Sequence, residues 1–258
     1  MISVVCVYND LSIYSEYLLS SIQRQKGDHE LIAIDNRDGH FKSAAEALND
    51  GGRKANGDFI MFAHQDVRLD SDNWLNGAEE MLRSISDLGI AGVAGREDKS
   101  GVIPVLIHGN QLAGVISVTT HGDPPEPVGS IHPIEPLRVQ TVDECLFFVP
   151  RDVFASVWMD EQVCDDWHLY SVEYSLSLRE RGLVVYVLPL QVHHKSMGRI
   201  SETYFTVLAK IVAKHKNHFL TINTTIGVWS TVIPINIQRI YFRLRESISV
   251  FMASRQTR

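Results

Sequence analysis

The sequence predicts an α/β fold: a mostly parallel sheet flanked by helices, with a helical C-terminal extension. Three observations predict it. Short, β-branched apolar runs alternate with helix-length amphipathic stretches through the first 85 residues. Each run ends in polar residues, as buried parallel strands do where they deliver loops to a ligand-binding edge. The chain has 258 residues, 45 % hydrophobic and 21 % charged, enough for one large core or two small ones and incompatible with a disordered or fibrous chain. We divide it into a body, residues 1–200, and an extension, residues 201–258.

Residues 4–7 form the first apolar run and end in Tyr8-Asn9-Asp10. A helix is predicted over 12–25, where Ile13, Tyr17, Leu18 and Ile22 recur at helical steps before Gly27-Asp28. The second strand, 30–34, runs into Asp35-Asn36, and an Ala-rich helix over 43–49 is expected to break at Gly51-Gly52. The third strand, 58–63, ends in His64-Gln65-Asp66 and is followed by a helix over 73–85. Residues 98–138 hold most of the prolines and read as strands and long loops beside a cleft. A strand over 140–149 bears Asp143-Glu144, helices are expected over 151–157 and 172–180, the second closed by Arg181-Gly182, and strand 183–188 leads to His193-His194.

Charge divides the chain. Residues 1–194 hold 14 Lys and Arg against 29 Asp and Glu, a balance of −15, whereas residues 195–258 hold 10 against 2, a balance of +8. A body so acidic excludes a nucleic-acid surface there, because phosphate binding needs clustered cations, and it suits a divalent metal. The basic extension suits either docking on the acidic body or peripheral contact with an anionic membrane surface. Residues 217–238 carry no Lys, Arg, Asp or Glu, but Thr, Asn, Ser and Pro interrupt them too often for a spanning helix. The stretch from Ile240 to Phe251 mixes apolar and basic residues, as a membrane-surface helix or a packed terminal helix does. Three cysteines, Cys6, Cys145 and Cys164, lack metal-site spacing and read as reduced buried thiols. With no signal peptide in view, a cytoplasmic protein is expected. No Gly-x-Gly-x-x-Gly fingerprint or phosphate-loop lysine follows the first strand, which argues against a dehydrogenase and a nucleotidyltransferase.

The order of these strand ends resembles the family 2 glycosyltransferases of the GT-A fold, a Rossmann-like arrangement, and within them the streptomycin-biosynthesis type with His-Gln-Asp in place of Asp-x-Asp. The elements in order are Tyr8-Asn9, Asp35-Asn36, Asn56-Gly57-Asp58, His64-Gln65-Asp66, Asp160-Glu161, Arg181-Gly182 and His193-His194, covering roughly residues 1–200. The resemblance implies an inverting transferase that uses Mn²⁺ or Mg²⁺ and takes a sugar from a nucleotide-sugar donor to a glycan or lipid-linked acceptor in polysaccharide biosynthesis. It implies that Asp66 and His194 hold the metal, with His193 the competing choice. It places Tyr8, Asn9, Asp35, His64, Gln65 and Lys195 around the donor. On chemical grounds a strand-end carboxylate such as Asp66 suits a hard cation bridging diphosphate oxygens, whereas an imidazole at His64 suits Mn²⁺ better than Mg²⁺. Asp35 reads equally as a turn residue, and Asp58 reads mainly as one.

An inverting transfer also needs a base opposite the leaving diphosphate. The resemblance puts a carboxylate about 11 residues before the glycine closing the next helix, where this chain has Ser171, and a second acidic position at Glu173. Asp166 and Glu173 are the candidates, Asp165 stands behind them, and His168 is near enough to substitute. Because His64 and Ser171 both depart from the family pattern, a nucleotide-sugar-binding module without turnover is the alternative to an enzyme.

Overall fold

A computed structural model describes residues 1–98, 114–196 and 200–256. Residues 99–113 of the proline-rich region, Gly198 and the side chain of Phe251 lie outside the described residues. The strands in chain order are β1 (Ile2–Tyr8), β2 (His29–Asp35), β3 (Phe59–Ala63), β4 (Val67–Leu69), β5 (Leu88–Gly92), β6 (Ala94–Arg96), β7 (Val115–Ser117) and β8 (Thr119–His121). They continue with β9 (Glu126–Pro127), β10 (Leu137–Arg138), β11 (Thr141–Val142), β12 (Leu146–Pro150), β13 (Val184–Val187), β14 (Val192–His194), β15 (Thr221–Asn223) and β16 (Val228–Ser230).

The central sheet has seven strands in the order β10-β13-β5-β12-β3-β1-β2. β1 runs parallel to β2 and β3, and β13 parallel to β5; β12 and β10 run the other way. The sheet is therefore mostly parallel, as the sequence predicts, with β12 inserted antiparallel between β3 and β5. Side-chain alternation feeds two cores. Val5 of β1, Ile60 and Phe62 of β3 and Phe147 of β12 face helices Ala44–Lys54, Tyr170–Arg179 and Glu202–His215. Val4, Cys6, Met61 and Phe148 face the opposite layer, the 11–22 segment and helix Trp74–Arg83. Each fully buried Phe contributes roughly 1.5–3 kcal/mol, so the paired aromatic positions of β3 and β12 anchor the middle of the sheet.

The 11–22 segment is α-helical over Leu11–Tyr14 and Ser20–Ile22 and π-helical over Ser15–Leu19. Gly51-Gly52 does not break its helix, which continues to Lys54. A Cβ on Gly51 would lie 2.4 Å from Val5 Cγ1, and one on Gly52 2.3 Å from Phe154 Cε1. The glycines let the helix lie against β1 and Phe154. Gly182, by contrast, closes its helix with φ +82°, as expected. The strand over 140–149 is interrupted: Asp143 and Glu144 separate β11 from β12.

The extension is not wholly helical. Helix Glu202–His215 is followed by the β15–β16 hairpin and then helix Ile235–Gln256. Its Tyr204, Phe205, Leu208, Ile211, Ile222, Trp229 and Phe242 belong to the same core as the sheet. No described helix is long and apolar enough to cross a membrane.

Candidate functional site

The carboxyl ends of β1 and β3 open into a cleft of about 410 Å³. Tyr8, Asn9, Asn36, Ala44, Trp167 and Tyr170 line it. His64, Asp66 and Ser196 reach it from the turn after β3 and from the chain leaving β14. That convergence follows from topology: β14 pairs antiparallel with β4, setting His194 opposite Val67, beside Asp66. The backbone reinforces it through Lys195 N to Asp66 O, 3.0 Å.

Three side chains from these elements meet. Nε2 of His194 lies 3.2 Å from Asp66 Oδ1, 3.4 Å from His64 Nδ1 and 3.1 Å from Ser196 Oγ. One ligand atom each from His64, Asp66 and His194 falls within 4.8 Å of the others, the geometry of a metal-binding triad. Burial works against ionisation of Asp66, but the hydrogen bond and charge of His194, with a second hydrogen bond from the Ser196 N–H (3.1 Å), hold its carboxyl well below the usual range. Burial and the neighbouring His194 push His64 down to about 4, so it stays neutral and keeps a lone pair at neutral pH. We assign the hydroxyl of Tyr170 as donor to the Glu144 carbonyl (3.4 Å) and acceptor from His64 Nε2 (2.8 Å), which leaves the Nδ1 lone pair facing the cluster. Two imidazoles and one carboxylate fit Mn²⁺ better than Mg²⁺, which prefers an all-oxygen shell.

His193 points elsewhere, as strand alternation requires. Its Nδ1 lies 3.2 Å from Thr120 Oγ1, and its ring packs 6.1 Å from that of Tyr17. Lys195 places its ammonium 4.8 Å above the Tyr17 ring and does not line the cleft. Gln65 lines the cleft, but its amide clamps the end of β1: Oε1 accepts from Asn9 N and Asp10 N, each at 3.0 Å, and Nε2 donates to Asn9 Oδ1 at 2.7 Å. Tyr8 stacks on Tyr14 with ring centroids 4.5 Å apart. Asp35 is exposed and held by Arg37, whose guanidinium chelates both carboxylate oxygens and lowers its pKa to about 2.

The candidate bases separate. Glu173 is a correction to the sequence reading: it is fully buried, and its Oε1 accepts from Lys214 Nζ (2.5 Å) and Ser177 Oγ (2.7 Å) and lies 3.3 Å from His215 Nε2. It is a core ion-cluster residue, sealed from any acceptor. Ser171 is buried as well and donates to Val142 O. Asp165 pairs with Lys210 at 2.5 Å. Asp166 lies beside the cleft, for its carbonyl accepts from Ala44 N (3.2 Å) and the next residue, Trp167, lines the wall. His168 turns away to Ser201 Oγ at 3.0 Å.

Sequence reasoning gave no site role to Tyr170, Trp167, Ser196, His121 or Glu144. His121 packs edge-on against His194, centroids 4.9 Å apart, and although burial opposes ionisation of Asp143, hydrogen bonds from Thr225 and the Cys145 N–H, with the nearby His194 and His121, favour it. Burial pushes the Glu144 carboxyl well up, and its Oε1 is buried without a hydrogen-bond partner. The visible signal was Asp143-Glu144 itself: two adjacent carboxylates just ahead of the apolar run 145–149.

A family model described as "Glycosyltransferase like family" matches residues 3–220. A search of curated proteins finds no match. Among solved structures, the chain is similar to GalNAc-T7 with UDP, GalNAc and Mn²⁺, at 15 % identity and TM-score 0.54 over 82 % of this chain and 48 % of that one. It is similar to the mannosyltransferase PcManGT from Pyrobaculum calidifontis in complex with GDP-Man and Mn²⁺, at 13 % identity and TM-score 0.55 over 84 % and 64 %. It is also similar to S. aureus TarS 1–349 in complex with UDP-GlcNAc, at 12 % identity and TM-score 0.53 over 84 % and 66 %. The chain thus spans between about half and just under two thirds of these proteins, and what it shares with them is the fold.

Proposed function

The chain belongs to the glycosyltransferase-like family and has the GT-A fold, and from that premise we propose that it is a metal-dependent, inverting glycosyltransferase. It takes a sugar from a nucleotide diphosphate-sugar donor to a glycan or lipid-linked acceptor in polysaccharide biosynthesis, in the cytoplasm or against the inner face of the membrane. The observation that carries this reading is the meeting of His64, Asp66 and His194 at the cleft that His64 and Asp66 line. The similar structures hold UDP, GDP-Man and UDP-GlcNAc, so a nucleotide diphosphate is the common chemistry.

In this reading His64, Asp66 and His194 hold Mn²⁺ or Mg²⁺, which when bound offsets the charge developing on the leaving diphosphate. Ser196 N–H and Lys195 N–H fix the Asp66 loop, and Tyr170 fixes the His64 ring. The nucleoside lies between Tyr8, Asn9 and the Asn36–Ala44 wall, with Asp35 at its rim. Asp166 takes the proton from the acceptor hydroxyl. A second reading, a binding module without turnover, draws support from the sealed Glu173 and from Ser171.

Calorimetric titration with UDP, GDP and dTDP and their sugars, with and without Mn²⁺, followed by donor hydrolysis, tests the choice. Mn²⁺-dependent binding with slow hydrolysis is the expected result. Binding without hydrolysis, or without transfer to any acceptor, leaves the module; no binding of any nucleotide removes both readings.

A further inference from the structure

The end of the chain carries an apolar surface that the fold leaves uncovered. Leu220, Val232, Ile237, Ile240, Tyr241 and Leu244 are between 44 and 77 % exposed, and they make up more than half of the large hydrophobic side chains exposed among the described residues. They come from two adjoining stretches of the chain. Thr231 N donates to Leu220 O at 3.1 Å, which seats Val232 beside Leu220. The chain then turns at Pro234, whose carbonyl accepts from Ile237 N at 3.1 Å, and enters helix Ile235–Gln256. Along that helix 237, 240, 241 and 244 fall at i, i+3, i+4 and i+7, one stripe on one face. The helix is already anchored by another face, where Gln238 and Phe242 are buried and Phe242 packs against Phe205 and Trp229. The stripe itself is left facing outward.

The surroundings of the stripe say what covers it. Residues 195–258 contain only two acidic residues, Glu202 and Glu246, against ten Lys and Arg, while the body is strongly acidic. Glu202 is engaged by Arg239 (2.5 Å) and Arg243 (3.6 Å), and Lys210 and Lys214 are paired with Asp165, Asp160 and Glu173 of the body, so the positive charge that faces a layer is the surplus left around helix Ile235–Gln256. Lys216 is exposed at the end of helix Glu202–His215. An apolar stripe with an aromatic hydroxyl at its edge, set in a basic segment, matches a layer whose headgroups are anionic and whose interior is hydrocarbon. The body's negative charge is repelled by such a layer, which orients the molecule tail-first.

We propose that this chain docks on anionic membrane surfaces through the Leu220/Val232 edge and the Ile237-Ile240-Tyr241-Leu244 stripe, lying in the interface without crossing it. Docking stands on exposure and charge alone. One consequence rests on the transferase reading: Arg243 Nη2 donates to Ile200 O at 3.2 Å, six residues after His194, so the docked helix is tied to the segment leaving the metal cluster and brings the cleft close to a lipid-linked acceptor.

The test is flotation of the full chain with vesicles of phosphatidylcholine alone and of phosphatidylcholine with about a quarter phosphatidylglycerol. The expected result is flotation with the anionic vesicles only, weakened by raised salt, and reduced at least ~tenfold in Ile237→Glu/Leu244→Glu. Both positions are exposed, and an unchanged thermal transition of the double variant shows that it still folds. A second variant, Val232→Ser/Ile240→Ser, removes apolar area without adding negative charge and is expected to give an intermediate loss. Failure of the wild type to float with anionic vesicles overturns the proposal, as does undiminished flotation of the folded double variant. A solution dimer that the double variant converts to monomer assigns the face to a second copy of this chain and overturns it too. Because no nucleotide or acceptor enters the experiment, its failure is distinct from failure of the transferase reading.

Discussion

Asp66 is the residue on which the candidate site depends, because it is the only carboxylate among the three convergent donors. Asp66→Ala removes the negative charge that draws a cation to the cluster, and loss of an outer-shell partner alone costs ~10–100-fold in metal affinity. The expected outcome is at least a ~100-fold loss of Mn²⁺-dependent donor affinity by calorimetry, with a smaller loss for His194→Ala; normal binding by Asp66→Ala would place the site elsewhere. Asp166→Ala is expected to bind donor normally and to lose transfer in a single-turnover assay. Glu173 belongs to stability. Glu173→Ala leaves Lys214 with Asp160 (2.7 Å) and His215 with Glu180 (2.6 Å), so the cost falls toward the lower end for breaking a buried pair, about 3 kcal/mol. Burial opposes ionisation of Glu173, but His215 and Lys214 outweigh it and lower its pKa below the ordinary 4.5. The unfolded chain therefore binds the proton first on acidification, and the stabilisation, complete above about pH 4.5, is lost as pH falls through the depressed value. Melting scans of wild type and variant should differ by a constant gap at neutral pH that closes in acid; a gap unchanged at about pH 3 would show that the ion cluster is not its source.

At the scale of elements, two helical glycines with opposite surroundings make a paired test. Gly51 lies in helix Ala44–Lys54, where a Cβ would also fall 2.9 Å from Ile34 Cδ1, so Gly51→Ala forces the helix off β1 and β2 and costs about 1–3 kcal/mol. Gly77, in helix Trp74–Arg83, has nothing within 4 Å of the same position, so Gly77→Ala is expected to stabilise by about 0.5–1 kcal/mol through helix propensity. Denaturant titration of both variants reads the two signs, and a stable Gly51→Ala would contradict the packing account. The same contrast explains where element prediction failed. Gly-Gly reads locally as a break, and only the neighbour across the helix–sheet contact reveals that it is a close approach. The Asp143-Glu144 interruption between β11 and β12 was hidden for a related reason, since their flanking residues are apolar enough to read as one strand.

For the whole molecule, the proposed cation site joins His64 and Asp66, after β3, to His194, on β14, so an ion held there would stabilise the folded state by mass action. Saturation at about 100 times Kd contributes about 2.7 kcal/mol, expected to raise the thermal midpoint by several degrees, to be reversed by EDTA and to be absent in Asp66→Ala. Equal shifts in wild type and Asp66→Ala would mean that the ion acts at another place.

By itself the sequence determined the alternation of strands and helices, the ligand edge, and the polar residues delivered there, because period-two and period-3.6 patterns and strand-end polarity are local properties of the chain. Asp66 was legible for that reason, whereas His64 was read as a neighbour of the donor and not as a member of the Asp66–His194 cluster. The tertiary structure decided what needs two distant segments in one place: that His194 rather than His193 turns to Asp66, that Tyr170 orients His64 across 106 residues, and that Gln65 serves the end of β1. It also decided that Glu173 is spent on Lys214 and His215. A carboxylate at a helix start looks the same in sequence whether it faces a cleft or a buried lysine, and only packing tells the two apart.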